Sequence, residues 1–536
     1  MPRPKMTQPA GNGHSDLLKE LWEAAVRLRG SIEPADYKRY VLPIIFLRFL
    51  SLRFEKRRAE LEALLADSES DYYTESESAK AAVLEDSDEY RAGGAFIVPA
   101  EARWDAIVRA ARRDDFKTHL DDILQLVEDT YPERLRGLLP RVYAGSNLDV
   151  EDLRGLINVF SRDAFRQDHD GEDLIGRVYE YFIGEFANSE GKRGGEYFTP
   201  SSIVKTLVAM LEPKDGVVFD PCCGSGGMFV QSDIFTGHSH GLSFVGEESK
   251  DFTYRLCRMN LFIHGIDGNI ELGNSYWDDK HPGLRADYII ANPPFNDGAR
   301  SREGWGADKV PPNDQRLVID GKRMSLSARN ANTMWIMHFL HHLNPTGSAG
   351  FVMATGELAN AEVARLGVRQ ALVEADLVDC IVSMSGQLFA NTQIPCSLWF
   401  LSRNRGGTAG YRKRTGEVLF IDARPLGALL PGSRKQKYLN ADEIALVAAA
   451  YREFTHSATP EAVSGFVRAA SVEEIREQRY ALSPGRYVGS ADDGEDERPA
   501  AEVLPELAAR LIDEMERGRL LDDEIRQVVE GLIHVE

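Results

Sequence analysis

The chain is short of cysteine, of long apolar runs and of positive charge, and each shortage narrows what it can be. Five cysteines, Cys222, Cys223, Cys257, Cys380 and Cys396, stand among 536 residues. An odd and scattered set excludes a disulfide framework and fits a reducing, cytoplasmic setting. No second cysteine pair or histidine cluster lies at zinc spacing from Cys222-Cys223, so no metal site is expected. The first residues are polar and no stretch of about 18 apolar residues occurs, so neither a cleaved signal nor a membrane span is expected. Lys and Arg number 63 against 84 Asp and Glu, a formal net charge of −21. A stand-alone DNA binder needs a basic face to neutralise phosphates, and bulk charge here provides none.

What is present is an ordinary globular composition, 43% hydrophobic and 27% charged. The length exceeds what one hydrophobic core supports, so two or three domains are expected. The most informative stretch is Ala286-Asp287-Tyr288-Ile289-Ile290-Ala291-Asn292-Pro293-Pro294-Phe295. The apolar run 288–291 suits a buried strand. Two prolines forbid its continuation, because each fixes φ and removes a donor. An amide, two rigid carbonyls and an aromatic ring are thereby held at the carboxyl end of a strand, where open α/β sheets keep their chemistry. An amine on an aromatic base is a poor nucleophile, its lone pair being delocalised into the ring. Acceptors aimed at its protons, the Asn292 side-chain oxygen and the Pro293 carbonyl, would draw it toward a reactive tetrahedral form. Phe295 offers a face on which an extruded base can stack, an interaction worth ~1–3 kcal/mol. The same four residues also suit a proline turn over a core Phe.

A second motif lies upstream, where Val217-Val218-Phe219-Asp220 runs into Pro221-Cys222-Cys223-Gly224-Ser225-Gly226-Gly227. It reads as a strand ending in an acid, then a Gly-rich turn that allows close approach of a ligand, then a helix from Met228. Residues 242–246 read as the next strand, ending at Glu247-Glu248. An acid at that tip can accept hydrogen bonds from ribose hydroxyls.

Asp220–Gly227 with Asn292–Phe295 resembles the S-adenosylmethionine-dependent N6-adenine DNA methyltransferases. Gly195-Glu196-Tyr197-Phe198-Thr199-Pro200 is similar to that family's other cofactor segment. Leu28-Arg29-Gly30-Ser31-Ile32 and Tyr37-Lys38-Arg39-Tyr40-Val41-Leu42 resemble the N-terminal helical domain of modification (M) subunits of type I restriction–modification systems. Tyr480-Ala481-Leu482-Ser483-Pro484 with Arg486-Tyr487 resembles the segment closing their catalytic region. The resemblance implies a Rossmann-like α/β sheet with an all-α N-terminal domain and a helical C-terminal tail. It also implies S-adenosyl-L-methionine as cofactor and double-stranded DNA as substrate. Phe198, Thr199 and Pro200 would border the methionine end of the cofactor. Asp220 and the backbone of Gly224, Ser225 and Gly226 would hold its amino-acid moiety, and Glu248 its ribose. Asn292, Pro293, Pro294 and Phe295 would handle the adenine. Two positions depart from the family. Cys222 stands where a small residue is usual, and Asn274 stands where an acid commonly meets the cofactor's adenine. Asn-Pro-Pro motifs also serve methyltransferases of RNA bases and of protein glutamine, and a scaffold subunit with a silent site is a further alternative. Phe295 and the helical N-terminal region argue against the former, and intact Asp220, Glu248 and Asn292 against the latter.

The expected organisation is a disordered 1–14, a helical domain over 15–170 with an exposed acidic insert at 66–95, a methyltransferase domain over 171–404, an extension over 405–488, and an acidic linker with a helical tail over 489–536. Leu120, Ile123, Leu124 and Val127 form a core stripe. Residues 396–401 are expected to be the last strand of the sheet. A helix over 333–343 carries His338, His341 and His342, which read as structural or surface residues because no Glu joins them in a metalloprotease motif. Residues 296–329 hold seven Lys/Arg against five Asp/Glu, including Arg300, Arg302, Arg316, Lys322, Arg323 and Arg329. With its Gly and Pro this segment reads as a flexible loop, able to contact phosphates or simply solvated. Residues 405–536 hold 18 Lys/Arg against 24 Asp/Glu and no evident recognition domain. The apolar stripe Leu504, Leu507, Leu511, Met515, Leu521, Ile525, Val528 and Leu532 can pack on its own domain or on a partner's helices. The resemblance supplies that partner. It is a specificity (S) subunit that reads the sequence, flanked by two copies of this chain, with a restriction (R) subunit as a further companion.

Overall fold

Short apolar runs bounded by Gly, Asp and Pro become the strands of one nine-stranded sheet. The computed structural model describes residues 12–30, 32–162, 178–186, 199–298, 304–389, 393–408, 410–430, 433, 435–489 and 500–533. The strands are β1 (Gly216–Asp220), β2 (Leu242–Glu248), β3 (Gly268–Leu272), β4 (Ala286–Ala291), β5 (Leu343–Ala354), β6 (Val378–Met384), β7 (Cys396–Ser402), β8 (Glu417–Ala423) and β9 (Val467–Ser471). Across the sheet they lie β3-β2-β1-β4-β5-β7-β6-β8-β9. β7 runs antiparallel between β5 and β6, and β9 runs antiparallel at the edge. The remaining pairs are parallel, and β6 and β7 are buried along their whole length, as strands covered on both faces must be.

The chain lays β2 and β3 on one side of β1, then crosses to place β4 on the other. Strand order therefore reverses between β1 and β4, whose register pairs Phe219 with Ile289. The crevice outside the carboxyl ends of such a pair is where open α/β sheets bind ligands, and Asp220 and Asn292 both emerge there.

The sheet does not end at residues 396–401. β8 pairs with β6, Leu419 opposite Cys380, and β9 covers β8 in turn. A β6 buried along its whole length could not have stood as an open edge. The run Val418-Leu419-Phe420-Ile421 that closes it was visible in the sequence.

The helical region before the sheet is built on Pro34–Ala66, in which residues 41–50 are all buried. Phe116–Thr130 turns Leu120, Ile123, Leu124 and Val127 inward as its stripe predicts. This region docks on the sheet through the helix Asp251–Ile263, where Phe262 stacks on Phe96 at 4.2 Å and sits under the Arg134 guanidinium. The acidic 66–95 segment is exposed along much of its length but anchored. It forms the helices Glu77–Leu84 and Ser87–Ala92, and the fully buried Tyr90 stacks on Phe54 at 5.1 Å. Glu85 meets Arg58 and Arg103. Residues 1–11 and the acidic 492–497 lie outside the described residues, and helix begins at Asn12.

At the far end, Ala500–Ile533 is one helix whose Leu504, Leu507, Leu511, Met515, Leu521 and Ile525 are all exposed. The side chains of Val528 and Leu532 lie outside the described ones. Among the described residues no helix is long and apolar enough to cross a membrane.

Candidate active site

The Gly-rich turn leaves β1 at Asp220 and starts the helix Gly227–Phe235 from Gly226, at φ 81°. A side chain at Gly226 would also meet the Cys257 sulfur at 2.9 Å, so the turn admits only glycine there. The turn is bolted to its neighbours. Cys223 N–H donates to the Glu247 carbonyl and Asn260 Nδ2 to the Ser225 carbonyl. Gly224 N–H donates to Glu248 Oε2 at 3.1 Å, and Lys250 N–H to Glu248 Oε1 at 2.9 Å. Glu248 thus stands at the crevice with its carboxylate oriented by backbone donors.

Its neighbour Glu247 is fully buried and faces the other way. Ser275 Oγ lies 2.7 Å from the Pro221 carbonyl and 2.6 Å from Glu247 Oε2. One hydroxyl proton cannot serve both acceptors, so a protonated Glu247 donating to Ser275 completes the chain. Burial pushes Glu247 up to about 7 in keeping with this. Burial likewise pushes Asp220 up to about 7, helped by the charge of Glu248 and opposed by hydrogen bonds from Cys222. Cys222 N–H and Sγ both donate to Asp220 Oδ1, at 3.0 and 3.4 Å, while the Asn292 backbone bonds to the same sulfur. Cys222 therefore ties the tip of β1 to the tip of β4, and the two motifs are in contact through it.

At the end of β4, Asn292 Nδ2 donates to Thr199 Oγ1 at 2.8 Å, while its Oδ1 is buried with no hydrogen-bond partner among the described residues. Pro293 is buried; Pro294 and Phe295 are half-exposed. Phe295 meets Phe389 edge-on at 6.0 Å. Pro200 caps the helix Ser201–Leu211, and Phe198 lies outside the described residues. Asn274 Oδ1 accepts from Tyr276 N–H within its own turn, so the group it can offer a ligand is Nδ2.

An asparagine cluster that the sequence reading did not single out holds the exit of the loop. Asn296, at φ 54°, binds Asn330 and Asn332, and Asn332 donates to Glu357, which is paired with Arg365. The signal was two Asn residues at 330 and 332, just ahead of a helix.

The described residues of the segment after Phe295 are folded rather than loose. Trp305, Val310, Leu317 and Ile319 join the core, and residues 318–323 form a small hairpin. Arg316 is not a phosphate contact. It is buried, paired with Asp314, and donates to the carbonyls of Ser275 and Tyr276. Arg300 and Arg302 lie outside the described residues, whereas Lys322, Arg323 and Arg329 are exposed. His338 and His342 are buried, and ligand atoms of Asp279, His338 and His342 come within 4.8 Å of one another. His342 Nε2 faces Asp279, and Arg316 donates to His338 Nδ1. The proton of a neutral His338 is then on Nε2, and burial holds His338 well below its usual value. His338 Nε2 is buried and meets no hydrogen-bond partner among the described residues.

A family model described as N-6 DNA Methylase matches residues 170–496, and one described as HsdM N-terminal domain matches residues 17–160. The chain is 38% identical over 527 residues to the type I restriction enzyme MjaIX methylase subunit of Methanocaldococcus jannaschii, covering 96% of this chain and 91% of that one. It is 36% identical to the HindI methylase subunit of Haemophilus influenzae, over 81% of this chain and 99% of that one. Its fold is similar to the crystal structure of a type I restriction-modification system methyltransferase subunit from Streptococcus thermophilus, with a TM-score of 0.69 at 23% identity, over 89% of this chain and 99% of that one. With both parts of the chain matched and the two motifs meeting at one crevice, the chain belongs to the methylase subunits of type I restriction–modification systems, which are DNA methyltransferases of the N6 class.

Proposed function

We propose that this subunit transfers a methyl group from S-adenosyl-L-methionine to adenine N6 in double-stranded DNA, at sites chosen by a separate specificity subunit. The observation that carries the reading is the Asn292 amide. A buried acceptor without a donor is costly unless function supplies one, and Oδ1 sits at the strand end with its amide nitrogen already engaged. An exocyclic amine supplies the missing donor.

The residues around Asp220 suit the cofactor. Asp220 and Glu248 are two acids at one crevice, and the charge of Glu248 raises the cost of ionising Asp220. A cationic ligand relieves that cost. Asp220 would receive the ammonium end, the Gly224–Gly226 backbone its carboxylate, Glu248 the ribose and Asn274 the adenine edge. Bound there, S-adenosyl-L-methionine supplies the electrophilic methyl. The protein's part is to exclude water, to accept the amine protons at Asn292 Oδ1 and the Pro293 carbonyl, and to stack the extruded base on Phe295. Pro294 keeps the loop rigid. Extrusion costs roughly a few kcal/mol, which stacking and contacts from Lys322, Arg323 and Arg329 would offset.

The acidic chain and its exposed apolar tail support a division of labour, in which a specificity subunit flanked by two copies of this chain reads the bases. A restriction subunit would join the same complex. The test is Asn292→Ala in the reconstituted complex. Methyl transfer to DNA should be lost while S-adenosyl-L-methionine binding is largely retained, and near-normal methylation would exclude the assignment.

A further inference from the structure

Among the described residues a side chain from a distant segment meets the Asn292 amide. Thr199 Oγ1 lies 2.8 Å from Asn292 Nδ2, 93 positions apart in the chain. Thr199 directly precedes Pro200, the cap of the helix Ser201–Leu211, most of whose residues are buried. The hydroxyl is therefore mounted on a packed element and does not follow the Asn-Pro-Pro loop.

The need for such a mount lies in the shape of the amide. The oxygen and NH2 of asparagine are nearly equal in size, so turning the group over changes little sterically. It changes the chemistry completely. With Oδ1 outward the group accepts a proton from the target amine. With NH2 outward, two donors face each other and the amine is repelled. Asn292 Oδ1 has no donor among the described residues to hold it, so its orientation depends on what Nδ2 meets. We propose that Thr199 is a positioning residue that holds the Asn292 amide with its oxygen turned toward the target amine. This rests on the reading of Asn292 as the amine acceptor.

A hydroxyl can also donate, and an overturned amide would accept that proton. The crevice side decides between the two. A hydroxyl has a single proton, and an acceptor brought within reach of Thr199 by a bound ligand takes it. The oxygen then remains only as an acceptor for Nδ2, and ligand occupancy reinforces the productive orientation.

The test compares Thr199→Val, Thr199→Ser and Asn292→Ala in the reconstituted complex, measuring kcat for DNA methylation and, separately, S-adenosyl-L-methionine affinity by calorimetry. Valine keeps the shape and removes the acceptor, so kcat should fall about tenfold or more, and by a larger factor than cofactor affinity. Serine restores the acceptor and should recover most of the lost rate. A valine variant whose kcat stays within twofold of the natural protein overturns the inference, as does a serine variant that falls as far as valine. A loss confined to cofactor affinity also overturns it, because Thr199 would then serve the ligand and not the amide. Activity of Asn292→Ala would instead overturn the reading of Asn292 itself.

Discussion

Asn296 and Asn332 hold each other twice: Asn296 N–H donates to Asn332 Oδ1 at 2.8 Å, and Asn332 Nδ2 donates back to Asn296 Oδ1 at 3.1 Å. The clasp fixes the residue after Phe295 in a left-handed conformation at φ 54° and anchors it to the helix Asn332–His342. Asn332→Ala strips partners from the Asn296 backbone, the Asn296 side chain and Glu357. Asn296 is exposed and keeps Asn330, and Glu357 keeps Arg365, so each lost bond is worth ~0.5–1.5 kcal/mol. The variant should show a lower denaturant midpoint, and methylation should fall more than cofactor binding, because the loop is loosened and the Gly-rich turn is not.

The two adjacent acids of β2 should separate cleanly. Glu248→Ala removes the carboxylate at the crevice and should weaken S-adenosyl-L-methionine binding by roughly tenfold or more in calorimetry, a charge-assisted contact being worth ~1.5–3 kcal/mol. Glu247→Ala instead leaves the buried Ser275 hydroxyl with Pro221 alone and removes the acceptor of the Lys280 N–H. Its main effect should be on the unfolding midpoint. Equal loss of ligand affinity with an unchanged midpoint would reverse the two roles.

Cofactor affinity should depend on pH through Asp220. Burial and the charge of Glu248 raise this carboxyl to about 7 in the free protein. The ionised form needed for an ammonium ligand is thus present above about 7 and is lost as pH falls through it. Affinity should reach a plateau above pH 7 and decline toward tenfold per unit below. The same sign governs folding: with the folded value raised, ionising Asp220 costs stability, so its contribution to the free protein falls as pH rises from the ordinary carboxylate range to 7. Cys222→Ala removes a donor that favours the carboxylate and should move the decline in affinity to higher pH. Asp220→Asn should flatten the profile, and a profile that keeps its shape in that variant would place the titrating group elsewhere.

The tail should govern assembly and not chemistry. Leu504, Leu507, Leu511, Met515 and Ile525 are exposed on one helix. Deleting residues 500–536, or introducing Leu507→Glu with Leu511→Glu, should abolish co-elution with the specificity subunit while leaving cofactor affinity within twofold. A truncated chain that still assembles, or a purified single chain that methylates its sites, would show that partner binding lies elsewhere.

Local order along the chain determined much of this. The runs ending at Asp220, Glu248 and Asn292 declared themselves as strands with candidate site residues at their tips, because short apolar stretches bounded by turn residues have few other conformations available. The helical stripe of residues 120–127 and the tail stripe were visible for the same reason, side chains three and four apart sharing a face. Tertiary structure decided what those elements meet. The order that brings β1 beside β4, the extension of the sheet by β8 and β9, the burial of Arg316 and the anchoring of the acidic segment by Tyr90 depend on contacts between residues far apart in the chain. So do the bonds that matter most at the site, Thr199 to Asn292, Cys222 between Asp220 and Asn292, and Asn296 to Asn332. A pattern in sequence reports which faces are apolar. Which polar atom faces which, and which charge loses its solvent, is settled only when distant segments pack, since burial is what turns an ordinary carboxyl, hydroxyl or amide into a group with one permitted partner.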